Sequence, residues 1–306
     1  MIFISALILS LFIPAVSLHG AETESFHRSI PAGAEKITVY KTDESGNPLP
    51  RAEYRYCREG FPEKEIIFSS RGVIKWIILY NYGDAGLKSS REAFTEDGSP
   101  LWKVSYAYNS EGALIRETHT GSDGEPDYMT VYEYQEDTTE AVSYGHDGSL
   151  HMRKKIIDDE QRNTSETYYY YPDGTRIKGI IREYDDYMRL QLETHTDEIG
   201  ALFRRIEHKY DKSGRLKERT AYNYRGEVSR KTSLRYTSGG YLQSLRRVTK
   251  PENQVEEHTY SYKKDSRGAW IFKRKTIRII EENRSGQTVE VTDTLREIEY
   301  YRINES

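Results

Sequence analysis

Residues 98–124 read GSPLWKVSYAYNSEGALIRETHTGSDG. From Leu101 to Tyr108 the side chains are largely β-branched, aromatic or small, which suits a pleated, half-buried strand. Asn109-Ser110-Glu111-Gly112 is a cluster of turn formers. Ala113 to Thr120 is a second strand-like run, and Gly121-Ser122-Asp123-Gly124 turns the chain again. Two short strands bounded by glycine turns predict a hairpin. The pairs Asp97-Gly98, Asp123-Gly124, Asp147-Gly148 and Asp173-Gly174 suit positive φ angles, so their acids read as turn formers rather than metal ligands.

This unit recurs along the chain with a period of 26 residues. One glycine series runs Gly46, Gly72, Gly98, Gly124, then Gly148, Gly174, Gly200 and Gly226; a second includes Gly60, Gly86, Gly112, Gly214 and Gly240. Ten residues after each first-series glycine stands Tyr56, Tyr82, Tyr108, Tyr134, Tyr184, Tyr210 or Tyr236, broken only by Asp158, and Tyr262 continues the ladder. Self-similarity at a fixed period marks a repeat architecture. The expected fold is all-β, a meander of about nine hairpins and about eighteen strands in a long, twisted or coiled antiparallel sheet. Side chains alternate with period two, so Tyr80 and Tyr82, Tyr106 and Tyr108, and Tyr132 and Tyr134 are expected to share one face as an aromatic row. Trp76, Trp102 and Tyr128 extend a second row. An end segment that differs from the repeats would blunt the exposed edge of such a sheet.

The expected divisions are a signal peptide over 1–20, a linker over 21–35, the hairpin array over 36–280 and capping strands over 281–306. The leader MIFISALILSLFIPAVSL is apolar and gives way at once to His19 and Glu22, with Ala15-Val16-Ser17 offering small residues for cleavage. The alternative is an uncleaved anchor. Cleavage would leave a protein outside the cytoplasm with no membrane span. Hydrophobic residues are 36% of the 306, and 26 of the chain's residues are tyrosine, too little aliphatic bulk for a thick interior. The aromatic content of 12% nevertheless argues against disorder. Cys57 is the one cysteine, which excludes an intramolecular disulfide; a buried, inert side chain is expected.

Tyr210-Asp211-Lys212-Ser213-Gly214-Arg215-Leu216 resembles the Tyr-Asp-x-x-Gly-x-Leu core of the YD repeats in RHS-type bacterial proteins. Tyr108-Asn109-Ser110-Glu111-Gly112-Ala113-Leu114 is a similar segment with Asn for Asp, and Tyr262 to Trp270 is a longer, diverged one. MORN-like repeats share the glycine-punctuated hairpin. The RHS resemblance, over roughly residues 38–280, implies sheet architecture and an extracytoplasmic setting. The toxin role is not carried over, because the chain is shorter than a closed RHS shell and ends without a toxin-sized domain.

No phosphate-binding glycine loop, zinc-protease motif, cysteine pair or nucleophile elbow is present. His119 and His195 each sit in a Thr-His-Thr triplet and read as strand filler. No catalytic residue, cofactor or metal site is therefore expected, and the chain reads as a binding or structural scaffold at the bacterial envelope rather than an enzyme. Two alternatives are a carbohydrate-active enzyme using the aromatic rows as sugar platforms and an accessory part of an RHS-type toxin-delivery system. Acids dominate between residues 81 and 148, and bases between 202 and 250. The candidate binding face is Tyr82, Trp102, Tyr108, Tyr134, Arg204, Arg205, Arg215 and Arg230, with a protein, glycan or envelope surface as partner and no nucleic acid.

Overall fold

The computed structural model describes residues 30–300 except 44, 84, 251–253 and 281–286; the expected leader lies outside them. Among the described residues there are twenty strands and no helix. The first ten are β1 (Ala34–Thr42), β2 (Pro48–Tyr56), β3 (Pro62–Phe68), β4 (Ile74–Tyr82), β5 (Lys88–Phe94), β6 (Pro100–Tyr108), β7 (Leu114–Thr120), β8 (Pro126–Gln135), β9 (Thr138–Gly145) and β10 (Leu150–Asp159). The second ten are β11 (Thr164–Tyr170), β12 (Arg176–Tyr184), β13 (Leu190–Thr196), β14 (Leu202–Tyr210), β15 (Leu216–Asn223), β16 (Val228–Tyr236), β17 (Leu242–Thr249), β18 (Gln254–Lys264), β19 (Trp270–Ile280) and β20 (Gln287–Tyr300). Each pairs antiparallel with its neighbours in sequence, and β20 pairs with β1 as well.

That last pairing corrects the expected open sheet. Ile37 on β1 faces Tyr54 on β2 and Ile298 on β20, so the meander closes into a barrel. The segment expected to cap an edge is instead the closing strand, because a ring leaves no edge to protect. Strand twist carries the end of the sheet round to its beginning, and the hydrogen-bonding groups of both terminal strands are then paired. Twenty strands about 4.8 Å apart have a perimeter on the order of 96 Å, and rings of sixteen or more strands are wide enough to hold water.

The segment Tyr210 to Leu216 forms a corner of this barrel. In the β14–β15 turn the Asp211 N–H donates to the Arg215 carbonyl (2.8 Å) and the Gly214 N–H to the Asp211 carbonyl (3.0 Å). Asp211 Oδ1 accepts from the Ser213 and Arg215 N–H groups at 2.8 and 3.0 Å. Gly214 completes the turn at φ 75°, the left-handed region that a Cβ disfavours. The Asp-Gly acids act likewise: Asp123 Oδ1 accepts from Glu125 N–H and Asp173 Oδ1 from Thr175 N–H. Cys57 begins the β2–β3 turn and is half-buried rather than buried.

One face of the ring gathers the hidden side chains. Ile37, Ala52, Tyr54, Ala93, Val104, Ala141, Ile180, Ile206 and Ala221 are all buried, and the strand register places them on the same side. Side chains converge on the concave side of a closed sheet and splay on the convex side, so this face is the lumen. The seam is its best-packed part: Ala34, Ile37, Val39, Ala52, Tyr54 and Tyr56 form a cluster with Ile30, Ile67 and Ile298 against it. Arg296 is only 3% exposed, lies 3.7 Å over the Trp270 ring and donates from Nε to the Trp270 carbonyl at 2.9 Å. Strands from opposite ends of the chain meet here, so packing must offset the closure entropy of the whole ring.

Candidate functional site

The luminal wall is the candidate site, and it begins at a mouth lined by tyrosine. Tyr82, Tyr108, Tyr210 and Tyr236 end their strands, Tyr134 and Tyr262 stand within two residues of the ends of theirs, and each hydroxyl donates to the backbone carbonyl twenty residues earlier. Tyr108, for example, reaches the Lys88 carbonyl at 2.9 Å. Lys88 lies beyond the last pair of the β5–β6 ladder, Ser90 with Ser105, so the hydroxyl takes up a carbonyl where the ladder has stopped. Burial disfavours the phenolate and raises the tyrosine pKa values, pushing Tyr82 and Tyr262 up to about 12.

Deeper in the lumen the strands β3 to β8 form an aromatic arc. Tyr80 donates to Glu65 Oε2 at 2.9 Å and Tyr132 to Glu117 Oε2 at 3.2 Å. Arg91 stacks 5.4 Å from the Trp102 ring, and His119 stacks on Tyr128 at 3.9 Å. Burial raises the Glu65 carboxyl above the usual range, whereas the His119 hydrogen bond and the Tyr132 hydroxyl outweigh burial and lower Glu117. Divergent carboxyls invite comparison with a glycosidase pair. Glu65 on β3 and Glu117 on β7 are four strands apart, however, about 19 Å at sheet spacing, against the 5–9.5 Å such chemistry needs.

The opposite arc is basic. On β14 Arg204, Ile206 and His208 face the lumen, followed by Arg219 and Ala221 on β15, Arg230 and Thr232 on β16, and Leu245 and Arg247 on β17. Arg247 Nη1 donates to Glu256 Oε2 at 2.9 Å, but its Nε is buried without a hydrogen bond, as is His208 Nδ1. Among the described residues Arg204, Arg219 and Arg230 have no carboxylate at ion-pair distance. Burial and then the charge of Arg204 push Arg219 below the usual arginine range, with Arg230 and Arg247 adding to it. Burial and Arg219 likewise lower His208. Beside this arc, Glu193 accepts from His195 (2.7 Å) and Arg182 (3.2 Å), and is held down to about 2 by His195 first, against burial.

The residues singled out in the sequence do not form one face. Tyr82, Trp102, Tyr108 and Tyr134 are luminal on β4 to β8, and Arg204 and Arg230 are luminal on β14 and β16. Trp102 and Arg230 stand on strands ten apart in a ring of twenty, so the two groups confront each other across the lumen. Arg205 points outward, where it pairs with Glu207 and lies 5.0 Å over the Tyr222 ring. Arg215 belongs to a corner, bonded to Asp211 Oδ2 at 2.8 Å and 4.9 Å over Tyr236. Sequence reasoning missed Arg219, Arg247 and His208 as members of the arc. The period-two alternation combined with the repeat register was the signal that could have found them, because each stands two or four residues from an apolar luminal position. His119 and His195, read as filler, each pair with the glutamate two residues before them. Among the described residues no group of three His, Cys, Asp or Glu could hold a metal ion.

No protein-family profile and no curated protein matches the sequence. Among solved structures, a porin-like protein from Bacteroides uniformis ATCC 8492 is similar over 88% of this chain and 99% of its own, at 13% identity and a TM-score of 0.40. The TcdB2–TccC3–Cdc42 structure is similar over 88% of this chain and 17% of its own, at 12% identity and a TM-score of 0.29. A protein of unknown function from Bacteroides fragilis NCTC 9343 is similar over 70% of this chain and 91% of its own, at 12% identity and a TM-score of 0.15. At these scores the strand pairing itself, and not the likeness, establishes the ring.

Proposed function

We propose that this chain is an exported β-barrel scaffold that holds a ligand against its luminal wall and stands in water rather than in lipid. The observation that carries the reading is the contrast between the two faces. Every strand except β13 places at least one charged side chain outward, among them Glu92 and Lys103, Glu140 and Arg153, and Arg274 and Asp293, which pair with each other across neighbouring strands. A cation at the lipid face of a membrane barrel costs about 2–4 kcal/mol at the bilayer midplane, so a surface charged all round opposes insertion. Inside, by contrast, Arg204, Arg219 and Arg230 lack a carboxylate at ion-pair distance among the described residues. The apolar leader MIFISALILSLFIPAVSL and the Tyr-Asp-x-x-Gly-x-Leu corner at Asp211 and Gly214 support kinship with RHS-type repeat proteins and an extracytoplasmic address.

The test is fractionation and conductance of the full chain expressed with its own leader. The reading expects a mature protein starting between Leu18 and Glu22, recovered outside the cytoplasm without detergent, that adds no conductance to a planar bilayer. Discrete conductance steps, or a cytoplasmic pool retaining Met1, would overturn it.

A further inference from the structure

We propose that the luminal arc of Arg204, Arg219, Arg230 and Arg247, with His208, is a binding site for an acidic polysaccharide chain bearing carboxylates on successive sugars. The inference deepens, and rests on, the reading of the barrel as a lumen-binding scaffold.

Four arginines on four adjacent strands face one space, spread over three strand intervals or about 14 Å. Several arginines elsewhere on this protein pair with carboxylates: Arg189 with Asp185, Arg215 with Asp211 and Arg274 with Asp293. Arg204 and Arg247 are half-buried, where desolvation makes an unmatched charge costly, and Arg219 and Arg230 open into the lumen beside them. Here three of the four go unmatched among the described residues, and the buried Arg247 Nε and His208 Nδ1 add two polar atoms without a hydrogen bond. Burial first, and then Arg204, Arg230 and Arg247, lower the basicity of Arg219 while Glu193 acts against them, so part of that shift is repulsion among the arginines. A multivalent anion would relieve it, and guanidinium forks match carboxylates two bonds at a time.

The surroundings choose among polyanions. The positions between the arginines are Ile206, Ala221, Thr232 and Leu245, aliphatic or hydroxyl-bearing, and His208 is the one ring of the arc, too few for successive bases to stack on. Single-stranded nucleic acid binds by such stacking. A closed ring also offers no free strand edge, the usual route for adding an extended peptide to a sheet. An acidic glycan needs neither. It needs anion forks and groups such as the Thr232 hydroxyl to meet its own hydroxyls.

The test uses fluorescently labelled oligogalacturonate, polyglutamate of matched charge and single-stranded DNA, each titrated by anisotropy against the full chain. Arg219→Ser and Arg230→Ser are compared with the outward controls Lys231→Ser and Arg246→Ser, and circular dichroism melts check folding. Oligogalacturonate is expected to bind, weakening about tenfold or more in each luminal variant while the outward variants are unchanged. Arg219→Ser should melt no lower than the parent, since it removes repulsion, and this readout holds even if binding is weak. Loss of binding in the outward variants alone would overturn the lumen-binding reading itself. Luminal dependence for polyglutamate or DNA without oligogalacturonate binding would leave that reading standing and overturn the glycan assignment. Absence of any luminal dependence, or a lower melt for Arg219→Ser, would overturn the site.

Discussion

Replacing Tyr108 separates its two contributions to the mouth of the barrel. Tyr108→Phe keeps the ring and deletes only the hydroxyl that donates to the Lys88 carbonyl at 2.9 Å. A net intramolecular hydrogen bond is worth about 1 kcal/mol, so a loss near that size is expected. Tyr108→Ala removes the ring as well. Full truncation of a buried aromatic costs about 3–5 kcal/mol, and half-burial reduces that to about 2, for a combined loss of about 3 kcal/mol. Urea titration followed by circular dichroism reads both, and a thermal melt should fall by about 2 °C per kcal/mol for a chain of this size. Tyr236→Phe on the opposite arc should match Tyr108→Phe, because its hydroxyl makes the same bond to the Leu216 carbonyl at 2.8 Å. Lys103→Ala is the control: its ion pair with Glu92 is outward and worth little. Unchanged midpoints for both Tyr108 variants would refute the structural role of the ladder and return Tyr108 to the binding surface.

Arg296→Ala should lower stability by about 3 kcal/mol or more and speed amide exchange in β1 and β20 first, since the seam loses its stacked cation and its bond to the Trp270 carbonyl; unchanged exchange at the seam would contradict this. Alkaline titration should unfold the barrel between about pH 10 and 12, because burial raises Tyr82, Tyr106 and Tyr262 to about 12 in the folded state. A raised tyrosine constant stabilises below the unfolded value, and that stability is lost as pH rises toward the folded one. Glu193 works in the opposite sense: held to about 2, it stabilises above about pH 4.5, and the contribution fades as pH falls toward 2, so Glu193→Gln should flatten the acid limb of the stability profile. Met188 takes the glycine position of its corner at φ 57°. Relief of about 1–2 kcal/mol of left-handed strain exceeds the added unfolded-state entropy of glycine, about 0.5–1 kcal/mol, so Met188→Gly should raise the melting point.

Local chemistry was legible in the chain. The period places a strand in each half-repeat, Asp211 and Gly214 specify a corner whose hydrogen bonds span five residues, and alternation puts Tyr106 with Tyr108 on one face. All of these depend on residues close in sequence, so the sequence by itself determines them. Closure does not, because whether the last strand returns to the first depends on twist accumulated over the whole meander, and no short segment records that sum. Ring closure in turn decides which face is inside. Arg204 and Arg205 are neighbours in sequence, yet one faces the lumen beside Arg219 and the other pairs with Glu207 outside. The same closure sets Trp102 opposite Arg230, ten strands away in either direction. A charge count along the chain sees a basic stretch from 202 to 250; only the barrel divides it into an outer surface balanced by carboxylates and an inner arc that is not, because convexity separates what the sequence lists side by side.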